Sequence, residues 1–122
     1  VDGTVSLWMD KSHLNRLFTN LIRNAIQAVP DDRSKRIHVV EYREGNAIRV
    51  EVRDNGTGIP EAEQHKIFVP NFTTKSSGTG LGLAMCQGMV EQAQGEIWFS
   101  TVEGQGTSFF VRLPIRSTDG LT

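Results

Sequence analysis

Apolar residues at Leu14, Leu17, Phe18, Leu21, Ile22, Ala25, Ile26 and Val29 fall on one face of a helix, which makes this stretch the clearest element of the chain. Asp10 is placed to cap it, and Pro30 with Asp31 and Asp32 ends it. Ahead of it, the alternation Val5, Leu7, Met9 predicts a strand. Beyond it, two strands are predicted at 37–43 and 47–53, with Glu44, Gly45 and Asn46 as their turn. Pro60 opens a short helix that ends near Phe68, with Glu61 and Glu63 suited to the positive end of its dipole. A second helical pattern covers 80–94, and a closing hairpin pairs 96–101 with 107–113 across Glu103 to Gly106.

Strands and helices are mixed without a regular βαβ repeat. That order predicts an α+β fold, a two-layer α/β sandwich with helices on one face of a mixed, largely antiparallel sheet. A chain of 122 residues with 38% hydrophobic and 22% charged residues suits one soluble domain, taken as residues 1–116 with a frayed polar tail at 117–122. No run approaches the roughly 20 apolar residues of a membrane span, so direct membrane contact is not expected. A formal charge of −1 without a basic block argues against nucleic acid. The lone Cys86 forms no internal disulfide and belongs to no zinc-like spacing, which suits a reducing compartment.

Four segments carry chemistry. Asn20 and Asn24 lie one helical turn apart and can act together, either as hard amide ligands for a cation such as Mg²⁺ or as ordinary surface asparagines. The run Asp54, Asn55, Gly56, Thr57, Gly58, Ile59 follows a strand. Its carboxylate can accept from an exocyclic amine while the glycines admit a close approach, although Asn-Gly also suits a plain turn. The glycines Gly78, Gly80 and Gly82 lead into the second helix, where backbone N–H groups and the helix dipole favour phosphate, or where small residues simply pack closely. Finally, Gly104 and Gly106 form a turn beside the Thr107 hydroxyl. Gly82 and Gly88 each weaken their helix by roughly 1 kcal/mol relative to Ala, a cost that asks for a reason.

In this order and spacing the segments resemble the N box, two glycine boxes and terminal GxGT of the histidine-kinase ATPase domains, a branch of the Bergerat-fold family. The resemblance covers nearly the whole chain, from about Val5 to Leu113. It implies a domain that binds Mg-ATP and donates the γ-phosphoryl group to a histidine on a separate dimerisation domain of the same parent protein, with a response regulator reached indirectly. It also implies that Asn24 holds Mg²⁺ with Asn20 beside the phosphates, and that Asp54 binds the adenine amine, assisted by Thr107 and the backbone at Gly56 and Gly58. A lid would run from Pro70 to Gly78, anchored by Phe68 and Phe72, with Lys75 available to the phosphates. The resemblance further places Gln27, Ala28, Ile59, Thr73, Thr74, Gly78, Thr79, Gly80, Leu81, Gly82 and Leu83 around the nucleotide. It points to the cytoplasm, whether or not the parent protein is anchored in a membrane.

Two departures from the family pattern matter. Gln27 stands where many members carry a Lys, so the phosphates lose a positive charge. None of His13, His38 and His65 sits in a helix with an acidic residue just after it, so the acceptor is expected elsewhere, most simply in a helical segment preceding Val1. Two rival readings stay open. One is a gyrase-like or mismatch-repair ATPase, which places a Glu where this chain has Asn20, a poor base. The other is a nucleotide-sensing module that transfers nothing.

Overall fold

A computed structural model of the protein describes residues 7–69 and 82–116. The long helix α1 spans Lys11–Ala28, and its N-cap Asp10 accepts a hydrogen bond from the His13 backbone N–H. Strands β1 (Ile37–Glu44) and β2 (Ala47–Asp54) form the predicted hairpin, followed by a 3-10 helix at Glu61–Lys66. Helix α2 covers Gly82–Gln92, and strands β3 (Glu96–Val102) and β4 (Gly106–Pro114) close the chain.

The strand order is β1-β2-β4-β3, and every pairing among these strands is antiparallel. The sheet is therefore simpler than the mixed one expected. Of the predicted first strand, Leu7 makes an isolated antiparallel bridge to Ile115, while Val5 lies outside the described residues. The second helical pattern is helix from Gly82; Gly80 and Leu81 also lie outside the described residues.

Alternation along β2 and β4 separates two faces of the sheet. Val52, Phe109, Val111 and Leu113 enter one core with Leu17, Leu21 and Ala25 of α1 and Cys86, Met89 and Val90 of α2. The opposite face carries no helix among the described residues and is braced by side chains: Trp98 stacks on Phe110 at 5.3 Å, and the Arg49 guanidinium lies 4.7 Å over the Tyr42 ring. Both helices thus pack on a single face, as the sequence pattern implies.

Cys86 joins the helices, donating its thiol hydrogen to the Leu17 carbonyl at 3.7 Å. Burial pushes the thiol up to about 11, while a hydrogen bond with the Asn20 side chain pulls the other way.

Two measurements check this packing. Leu21 is fully buried, and Leu21→Ala should lower unfolding free energy by roughly 3 kcal/mol in urea denaturation; a loss under about 1 kcal/mol would contradict this core assignment. The second concerns pH. Below about 9 the Cys86 thiol is neutral in both states, and between about 9 and about 11 the unfolded chain gives up a proton that the folded chain keeps. Stability should fall across that window, and Cys86→Ala should flatten the fall; equal slopes in the two proteins would refute the assignment.

Candidate functional site

The site starts at the end of β2, where the strand delivers Asp54 into the interior at 4% exposure. Its Oδ1 accepts hydrogen bonds from the backbone N–H groups of Gly56 at 2.8 Å and Thr107 at 3.2 Å. One carboxylate oxygen thus fixes both the loop leaving β2 and the start of β4.

Two glycines make this arrangement possible. A Cβ on Gly56 would collide with the Ala28 carbonyl at the end of α1, and the neighbouring Thr57 N–H donates to that carbonyl at 3.2 Å. Gly106, at φ +136°, passes so close to the Asp54 carbonyl that a side chain has no room. Gly58 in turn lies against the Val102 carbonyl. Where the sequence suggested glycines that admit a base, the structure uses them first for backbone packing. The loop is wedged between the end of α1 and the β3–β4 turn.

Hydroxyls and a clamp complete the loop. Thr107 Oγ1 lies 2.8 Å from Thr101 Oγ1, which accepts from the Ile59 N–H at 3.0 Å. On the other side, Asn55 accepts from the Arg36 N–H and donates to the Ser34 carbonyl, each at 2.8 Å, while the Arg33 guanidinium donates to the Asn55 carbonyl at 3.0 Å. Thr101, Asn55 and Arg33 were not among the sequence candidates. Only Asn55 carried a signal, as a side chain able to bond the backbone beside a turn; Thr101 and Arg33 are brought in from elsewhere in the chain by the fold.

The remaining candidates divide by place. Asn20 is half-buried and lines an open groove of about 480 Å³ with Asn15, Arg16, Thr19, Arg23 and Met85. Asn24 and Ala28 are half-buried further along α1, with Gln27 exposed, and none of these three lines that groove. Phe68 belongs to the core edge, with its ring centroid 6.2 Å from Phe99 and 6.5 Å from Phe109. Leu83 packs against the same core, and a Cβ on Gly82 would meet nothing within 4 Å among the described residues. Packing within the described residues therefore gives no reason for a glycine at 82. Phe72, Thr73, Thr74, Lys75, Gly78, Thr79, Gly80 and Leu81, and the expected lid with them, lie outside the described residues.

The donor set limits what cation the site could hold. Among the described residues there is no group of three or more His, Cys, Asp or Glu suited to a metal. Neutral amides on α1 fit a hard cation that takes one or two protein ligands and fills its other positions with phosphate and water, as Mg²⁺ does. His13, His38 and His65 are all exposed. Among the described residues no helix is long and apolar enough to cross a membrane.

Comparison with known proteins gives the family. The family model described as "Histidine kinase-, DNA gyrase B-, and HSP90-like ATPase" matches residues 9–117. The sensor protein kinase WalK of Staphylococcus saprophyticus is 38% identical over 117 residues, covering 91% of this chain and 19% of that protein. A Staphylococcus aureus WalK gives the same identity, with 28% of its length covered. The chain thus spans only a minor part of the curated relatives it matches. Among solved structures, the nucleotide-free catalytic domain of the histidine kinase ThkA superposes with a TM-score of 0.76 at 36% identity, covering 87% of this chain and 68% of that one. The mycobacterial sensor histidine kinase MprB superposes at 0.77 with 29% identity, covering 88% and 73%.

Proposed function

Because the chain belongs to the histidine kinase-, DNA gyrase B- and HSP90-like ATPase family, we propose that it is an ATP-binding phosphodonor domain, serving a histidine held on a separate dimerisation domain. The observation that carries this reading is Asp54, a buried carboxylate fixed by two backbone N–H groups beside the end of a helix that presents Asn20 and Asn24. Family and geometry support it together.

In this reading Asp54 accepts a hydrogen bond from the exocyclic amine of adenine, with the Thr107 hydroxyl and the backbone at Gly56 and Gly58 framing the base. The triphosphate then runs along α1 toward Asn24 and Asn20. Mg²⁺ arriving with the nucleotide would be held on the protein side by Asn24 and would spread the phosphate charge as it develops. The acceptor imidazole nitrogen attacks in line, its bond to the γ-phosphorus forming as the bond from phosphorus to the β–γ bridging oxygen breaks, and ADP leaves. A neutral imidazole is already a nucleophile, so the donor domain works by positioning and charge stabilisation without a strong base of its own. Asn20 matches this division of labour, because its amide is a poor base. Water is not activated, so hydrolysis is slow. The acceptor domain belongs to the parent protein, the response regulator acts downstream of it, and the site faces the cytoplasm.

The test uses γ-labelled ATP, Mg²⁺ and a histidine-containing dimerisation domain. Acid-labile label should appear on the partner, and Asp54→Asn and Asn24→Asp should each lower its rate by at least about 100-fold. Fast phosphate release without a partner would instead mark an ATPase. Nucleotide binding with neither outcome would mark a sensing module.

A further inference from the structure

Gln27 poses a problem of charge: a triphosphate must be held on a helix face whose expected lysine is missing. The groove on α1 supplies an answer that no motif announces. Arg16, Asn20, Arg23 and Gln27 recur at intervals of four, three and four residues, so they share one stripe of the helix. Arg16 and Arg23 line the groove together with Asn20, and no lining residue is acidic. Among the described residues Arg16 and Arg23 make no ion pair, as is also true of Arg36, Arg43 and Arg116, so their charge is not neutralised by a neighbouring carboxylate. The opposite wall is Met85 of α2.

Position along α1 says which part of a nucleotide this groove would meet. The Asp54 loop touches α1 at Ala28, and at about 1.5 Å per residue Arg23 lies about 7.5 Å, Asn20 about 12 Å and Arg16 about 18 Å further along the axis, so the two arginines flank Asn20. That separation is comparable to an extended nucleoside triphosphate measured from base to terminal phosphate. A nucleotide with its base at Asp54 and its chain along α1 therefore ends at the groove. Guanidinium forks suit phosphate oxygens better than a single ammonium does.

Building on the ATP-binding reading above, we infer that Arg16 and Arg23 bind the terminal phosphate of ATP and supply the positive charge that Gln27 lacks. The assignment makes the groove selective for triphosphate over diphosphate, because only the terminal phosphate reaches it. It also gives the groove a second service, since a domain that must release ADP after transfer loses this contact with the phosphoryl group.

Titration calorimetry of the 122-residue chain with Mg-ATP and Mg-ADP tests the assignment. The double variant Arg16→Gln, Arg23→Gln should lose about tenfold or more in ATP affinity while ADP affinity changes less than about twofold, and lysine at both positions should restore part of the loss. Retained ADP binding also shows that the double variant is folded. An unchanged ATP-to-ADP ratio in that variant, with Asp54→Asn still abolishing both affinities, would overturn the inference and leave the ATP reading intact. An unchanged ratio with transfer to the dimerisation domain lost would also overturn it, assigning the arginines to the partner protein. A wild-type chain that binds neither nucleotide would overturn both readings.

Discussion

Everything near the site depends on one buried carboxylate accepting two backbone hydrogen bonds. Charge is expensive to bury unless it is met by donors, and Asp54 meets the N–H groups of Gly56 and Thr107, residues that the chain separates widely. The interaction closes β2 against β4 and bends the chain back toward α1. Because Gly56 and Gly106 leave no room for a side chain, the carboxylate and the backbone around it form a rigid unit. In the proposed role of Asp54, a carboxylate held this way would need no rearrangement to meet a base, which would limit the ordering cost of binding.

From that unit the two ends of the proposed ligand are separated along a single element. Helix α1 buries Leu17, Leu21 and Ala25 against the sheet, and this anchoring fixes the direction in which its polar stripe points. The end near Ala28 meets the Asp54 loop, and the stripe through Asn20 and Arg16 leads away from it toward α2. Cys86 of α2 donates to the Leu17 carbonyl of α1, one turn from Asn20, so core packing and the polar face meet on the same stretch of helix. Stability and binding geometry are therefore set by the same helix.

The fold was legible wherever periodicity and turn chemistry agreed. The face from Leu14 to Val29 and the alternation Ile48, Val50, Val52 gave α1 and β2 nearly to the residue. Purely antiparallel pairing was less legible, because strand order depends on contacts between segments distant in sequence. At the site, Asp54 and Thr107 were readable from their motifs, and the structure adds the reason they occur together. Arg33 and Thr101 were not readable: each acts through a hydrogen bond that exists only once the connection after α1 and strand β3 reach the glycine loop. The glycine signal is ambiguous, since close backbone approach leaves the same mark on the sequence whether the neighbour is a base or Ala28.

If Asp54 reads the base, ATP and GTP must bind with very different affinities. Adenine offers an amine donor to the carboxylate, whereas guanine presents a carbonyl at the corresponding position, placing acceptor against acceptor in a buried setting. Titration of the chain with each Mg-nucleotide should give ATP binding at least about 100-fold tighter than GTP, consistent with the cost of an unmatched buried polar group. Equal affinities for the two nucleotides would show that Asp54 does not read the base.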